Sequence, residues 1–333
     1  MSQYLVNERY SLHYGWGNLF KEAIADHDIS LVGLEKDKLG GYDIRDLRKV
    51  HYDAIDKCGT SEFSLDISKN VNCFTFDIYS LMLYSSPNLR QLLIDATENL
   101  LYITPQIRVK MLENKDNKEI WFFSNSIKIE DEVTVVGFAA LICTILKICC
   151  ESTGADLYGV QYNIPKTRYS RSISNNIKKR FGIKVVESKL HHHLVIKNNI
   201  LDIPTINSNS ATYNLCKTNV ENKVALMKGE DIVCKIHQIL DGMESLKNVT
   251  ASYVASQLYV SSRTLNRKLS NVDCTFKTVI DNYKTQLAIR LLKETNENLN
   301  YVAFKVGFSD QSSFSRAFKR WTGEQPHVTR SQR

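Results

Sequence analysis

The chain has 333 residues, 43% of them hydrophobic and 24% charged, with a formal net charge of +7. That length excludes a single ordinary core and predicts two domains. The charge is uneven: residues 228–333 hold 16 Lys and Arg against 10 Asp and Glu, a balance of +6, while residues 1–227 hold 27 against 26. A basic C-terminal third points to a polyanionic partner for that part alone.

The first twelve residues contain no apolar run of signal-peptide length, so nothing there directs export, and a cytoplasmic, nucleoid-associated protein with free thiols is expected. Asn18 is placed to cap a helix carrying Leu19, Phe20, Ala23 and Ile24, and Asp43 to cap another carrying Leu47, Val50, Ala54 and Ile55. A third helix is predicted from Ser85, with Pro87 in its first turn, where a missing N–H costs nothing. The period then falls from about 3.6 to about 2. Residues 106–113 and 119–125 alternate as strands around the polar turn at 114–117, which predicts a hairpin. Residues 133–150 are the most apolar run, and their uncharged part is shorter than a bilayer requires, so a buried core helix is expected and no membrane partner. A strand at 157–163, a helix at 172–181 and strands at 183–187 and 193–197 complete an α+β domain with a mainly antiparallel sheet. Residues 205–222 contain ten Asn, Ser or Thr among eighteen, with no clear period, and read as a linker. The domain boundaries so predicted are 1–204, a linker over 205–228, and 229–333.

From residue 229 onward every segment has helical spacing. A helix over 231–240 is followed by a second over 250–258, with Val254, Ala255 and Leu258 inward. After a short turn at Tyr259 and Val260, Ser261 caps a third, whose Leu265 and Leu269 face the core while Arg263, Asn266, Arg267 and Lys268 face out. Phe276, Val279, Ile280, Tyr283, Leu287 and Leu291 mark one long helix. Beyond it, Leu299, Val302, Ala303 and Val306 lead into Gly307, which permits the positive φ of a tight turn. Asp310 then caps a helix burying Phe314, Ala317, Phe318 and Trp321, with Gln311, Ser312, Ser315, Arg316, Lys319 and Arg320 off that stripe. The same helix, turn, helix device therefore occurs twice, about fifty residues apart, and donors and cations on an exposed helix face suit a DNA major groove.

At these residues the C-terminal hundred positions resemble the paired helix-turn-helix domain of AraC/XylS-type transcription regulators. The stretch from Gly307 to Gly323 followed by Pro326 resembles the signature of the second unit, and the stretch from Val260 to Leu269 resembles the first unit of the subset with an arabinose-binding-like sensor domain in front. The Ser85-Ser-Pro-x-Leu89 segment is similar to one in that sensor. The resemblance implies an all-α C-terminal domain with its two units joined by the long helix, and an N-terminal domain that senses a small-molecule effector or forms a homodimer. Carried over by position, Arg263, Asn266 and Arg267, with Gln311, Ser312, Ser315 and Arg316, are the base-reading candidates, and Lys268, Lys319 and Arg320 the phosphate contacts. Double-stranded promoter or operator DNA is the implied partner, with RNA polymerase as a second one, and an activator the implied role. Two departures stand out: Asp273 where relatives carry Gly, and Thr329 where an aromatic is usual, which predicts a less firmly docked last helix.

The triplet at 191–193 places His191 and His193 on one strand face, yet no nearby Cys or carboxylate completes a metal set, so a surface or strand-edge role is expected. The eight cysteines form no CxxC pair. No cofactor motif or catalytic constellation is present, and an enzyme is not expected.

Overall fold

The computed structural model describes residues 11–25, 34–37, 40–58, 65–124, 133–167, 169–188, 192–230, 232–272, 274–294 and 297–331. His191, Asp231 and Asp273 lie outside the described residues. The chain divides into one compact unit over Asn7–Leu226 and a second built on Met227–Arg333.

In the N-terminal unit, two short strands, β1 (Ser11–Leu12) and β2 (Tyr42–Asp43), pair antiparallel and precede helices α1 (Tyr14–Ala25) and α2 (Ile44–Cys58). Leu19, Phe20, Ala23 and Ile24 are buried as expected, but α1 starts before Asn18, which lies inside it. A local bond and a tertiary one set that start: His13 Nδ1 accepts the Gly15 N–H at 3.1 Å, and Trp16 Nε1 donates to the Ile103 carbonyl at 3.1 Å. Asp43 caps α2 as predicted, its Oδ1 accepting the Arg45 N–H at 2.8 Å. After α3 (Asp77–Tyr84), helix α4 (Leu89–Glu98) begins at Asn88, whose side chain accepts the Gln91 N–H at 2.9 Å. Pro87 therefore precedes the cap and is not in the first turn.

The hairpin of β3 (Ile107–Glu113) and β4 (Asn117–Ser124) belongs to a five-stranded sheet with β5 (Val160–Pro165), β6 (Lys184–Ser188) and β7 (His192–Lys197), in the order β3-β4-β7-β5-β6. Every pairing is antiparallel except β5 with β6, and that parallel pair is bridged by helix α6 (Ser170–Phe181), the crossover a parallel pair requires. The apolar run forms α5 (Val135–Thr153), capped by Thr134, whose hydroxyl accepts the Gly137 N–H at 2.9 Å. This helix is long and apolar enough to cross a bilayer, and 72% of its most apolar window is buried inside the unit as core. His192 is buried, stacks on Phe138 of α5 at 4.7 Å and pairs through Nδ1 with the Tyr162 hydroxyl. His193 stacks flat on Trp121 at 4.0 Å. Both histidines pack against aromatic rings within the sheet, and His192 is buried, not at the surface as expected.

Most of the segment read as a linker is helical. Helix α7 (Ser210–Glu230) runs 21 residues, and Cys216, Val220 and Val224 enter the N-terminal core. Beside them the buried Asp95 carboxylate accepts hydrogen bonds from Lys217 Nζ at 2.8 Å and Tyr213 OH at 2.6 Å. Burial and that bond push the Tyr213 hydroxyl up to about 12. Few α7 side chains face inward, too sparse a stripe to register as a 3.6-residue period among Asn and Thr.

The C-terminal unit holds α8 (Ile232–Asp241), α9 (Ala251–Gln257), α10 (Ser262–Ser270), α11 (Phe276–Glu294), α12 (Leu299–Lys305), α13 (Gln311–Thr322) and α14 (Pro326–Ser331). Helix α11 is the long spine. Its Val279, Ile280 and Tyr283 are buried, with Tyr283 OH donating to Asp241 of α8 at 2.5 Å. Further along, Ala288 and Leu292 enter the core of α12 and α13, while Leu287 and Leu291, expected inward, are only partly buried beside it.

Candidate nucleic-acid interface

In each unit the second helix, α10 or α13, is set by a cap at the start of the helix before it, a backbone bond across the turn and a cap at its own start. In the first unit Thr250 Oγ1 accepts the Tyr253 N–H at 3.1 Å and begins α9, whose Val254 and Ala255 are buried. The chain then turns, with the Val260 N–H donating to the Ala255 carbonyl at 3.0 Å. Ser261 accepts the Thr264 N–H at 3.1 Å and starts α10. Leu265 and Leu269 are fully buried, leaving Arg263, Asn266, Arg267 and Lys268 exposed on one side, as the sequence predicts.

The second unit repeats this. Asn298 accepts the Tyr301 N–H at 2.8 Å, Val302 and Ala303 are buried, and the Phe308 N–H donates to the Ala303 carbonyl at 2.8 Å. Asp310 accepts the Ser313 N–H at 2.8 Å, and this backbone bond holds its carboxyl below the usual carboxylate range. Phe314 and Phe318 are fully buried, each contributing about 2–3 kcal/mol of burial. Gln311, Ser312, Arg316, Lys319 and Arg320 are exposed, and Ser315 is half-buried. Trp321, expected inward, is also half-buried, its ring 5.7 Å from that of Phe308. Arg316 Nη2 donates to Ser313 Oγ at 3.2 Å, which steadies the guanidinium on the exposed face. The last helix is docked: Thr329 is buried, and Arg330 donates to the Glu297 carbonyl at 2.5 Å. A small side chain there suffices because its neighbour Arg330 supplies the tie.

Two contributors escaped the sequence. The segment before α9 fastens the second unit, with Leu246 N donating to the Lys305 carbonyl at 3.0 Å and Ser245 Oγ to the Phe304 carbonyl at 2.5 Å. Lys284 of α11 lies over the Phe308 ring at 5.5 Å. Neither has a sequence signal, because both depend on which elements meet in space.

Residues 254–332 match a family model described as a helix-turn-helix domain. The C-terminal domain is an AraC-type helix-turn-helix domain. The chain is similar to the ornithine utilization regulator of Pseudomonas aeruginosa, at 24% identity over 84% of this chain and 82% of that protein. It is also similar to the transcriptional activator PerA of Escherichia coli, at 23% identity over 45% of this chain and 56% of PerA. A crystal structure of the transcriptional regulator CdpR from Pseudomonas aeruginosa aligns with 95% of this chain and 98% of its own, at 17% identity and a TM-score of 0.49. These AraC-type relatives are transcriptional regulators, not enzymes. With this domain the chain is a DNA-binding transcription regulator, and DNA is its partner.

Proposed function

We propose that the protein is a sequence-specific transcription activator whose two recognition helices, α10 and α13, occupy adjacent major grooves, and whose N-terminal unit senses a small effector. The observation that carries this is the duplicated face: Arg263, Asn266 and Arg267 on α10, and Gln311, Ser312, Ser315 and Arg316 on α13, each presented by a capped helix with its apolar side buried. Arg matches guanine O6 and N7 in a bidentate pair, and Asn or Gln matches adenine N6 and N7. Lys268, Lys319 and Arg320 lie beside them and suit phosphate. The activator role follows the named role of PerA, and RNA polymerase is the second partner that the AraC/XylS-type resemblance implies. Effector control works by population shift: the ligand must bind the DNA-competent arrangement better than the other.

Footprinting the purified full-length chain on its best genomic site is the test. Protection of two neighbouring major grooves on one face, about 10 base pairs apart, is expected. Protection of one groove alone would remove the two-helix reading. A second reading makes the N-terminal unit a homodimerisation module. It rests on Leu215 and Leu226 of α7, which lie about three turns apart and are 67% and 70% exposed. Sedimentation of the full chain and of a Leu215→Asp, Leu226→Asp variant decides it: a dimer lost in the variant supports it, and a monomeric parent removes it.

A further inference from the structure

Helix α6, the crossover between the parallel strands β5 and β6, carries Arg171, Lys178, Lys179 and Arg180 and no Asp or Glu. Its buried stripe is Ile173, Ser174, Ile177 and Phe181. At about 3.6 residues per turn Arg171, Lys178 and Lys179 fall together on the outer side, and all three are exposed. Arg180 lies on the other flank, where Asp66 holds it at 2.5 Å. The helix dipole accounts for part of this pattern, since Lys178 and Lys179 are in the last turn and offset its negative end. Arg171 is in the first turn and meets the positive end, where a carboxylate would be favoured. Pairing does not account for it either. Elsewhere in the unit exposed cations are matched, Lys49 with Asp46 at 3.4 Å, Lys69 with Asp66 at 2.9 Å and Arg90 with Glu113 at 2.8 Å. Among the described residues no carboxylate lies within ion-pair distance of Arg171, Lys178 or Lys179. Glu187, at the start of the helix, accepts the Ser170 hydroxyl at 3.1 Å instead. In a segment of 27 cations and 26 carboxylates over residues 1–227, this face is a local concentration of unmatched positive charge.

We propose that the outer face of α6 binds the phosphate backbone of DNA, so that the N-terminal unit adds sequence-independent affinity to that of the C-terminal unit. The partner already established for the chain is a polyanion, and cations without carboxylate partners are the ones that displace its condensed counterions. From Arg171 to Lys179 the helix rises about 12 Å, a span over which a duplex presents several phosphates. Asn175, exposed on the same side, adds a neutral donor of the kind that phosphate oxygens accept. On α6 no apolar side chain is exposed, which suits a hydrated polyanion and not the apolar centre of a protein interface.

The test is titration of the full chain, over a range of salt concentrations, onto a duplex carrying its footprinted site with flanking DNA on both sides. The combined variant Arg171→Gln, Lys178→Gln, Lys179→Gln should lower the slope of log K against log salt by about two to three. Glutamine keeps the helix propensity, and circular dichroism and the melting temperature confirm that the variant folds. Affinity for random duplex should fall by the same factor as affinity for the site, because phosphate contacts carry no sequence information. Lys178→Arg with Lys179→Arg, which keeps the charge, should keep the slope. A control of equal charge change, Lys49→Gln, Lys69→Gln, Lys147→Gln, neutralises cations that already have carboxylate partners and should also leave the slope near that of the parent. An unchanged slope in the α6 variant would overturn the assignment. So would an equal fall in the control, which would make the effect one of net charge, or a loss confined to the specific site.

Discussion

The unit of α9 and α10 and the unit of α12 and α13 share their fastenings up to the turn: a polar cap at Thr250 or Asn298, a buried Val-Ala pair, and a backbone bond back to that alanine. They part at one residue. The second unit turns on Gly307 at φ +88°, and a Cβ there would sit 2.4 Å from the Leu246 backbone, so both the conformation and the contact demand glycine. The first unit turns on Tyr259 at φ +55°, with the side chain 97% exposed. Among the described residues nothing packs against that side chain, so a tyrosine can occupy the turn at the cost of local strain. The same backbone device is thus buttressed in one copy and open in the other. The departure expected at Asp273 lies outside the described residues, and the difference that the structure shows precedes α10.

The strongest way to break this contrast is Gly307→Ala. It combines a left-handed alanine with a backbone clash and should cost about 3 kcal/mol or more, read as a fall in the denaturation midpoint of the C-terminal unit. A loss under about 1 kcal/mol would mean that the Leu246 contact yields easily. Next come the matched arginines. Arg316→Ala should cost about 1–3 kcal/mol on the specific site and relax preference at one base pair, measured against random DNA. Arg267→Ala, at the corresponding place on α10, should cost a similar 1–3 kcal/mol if both units read bases. An unaffected Arg267→Ala alongside a damaged Arg316→Ala would show that only the buttressed copy reads sequence. Lys319→Ala should lower the slope of log K against log salt by about one, and an unchanged slope takes it out of the interface. The smallest effect is expected from Tyr259→Gly: relief of strain and greater freedom of the unfolded chain nearly cancel, within about 0.5 kcal/mol.

The contrast also separates what sequence can tell. In the C-terminal unit the caps at Ser261 and Asp310 and the inward Leu265, Leu269, Phe314 and Phe318 are visible as local spacing, and they fix which side of each helix is exposed. The turn at Tyr259 is not visible, because positive φ announces itself through Gly or Asn. In the N-terminal unit the hairpin and the mainly antiparallel sheet are legible from period-2 alternation. The start of α1 is not, since Ile103 fixes it from across the fold.

Helix α7 bears on how the molecule can be cut. A fragment ending at residue 204 would lose Cys216, Val220 and Val224 from its core and leave the Asp95 carboxylate buried without Lys217 and Tyr213. Such a fragment would misfold for reasons unrelated to any effector, because an uncompensated buried charge is strongly destabilising. A fragment carried through residue 226 keeps the root of α7, so its melting behaviour would report on the N-terminal unit itself.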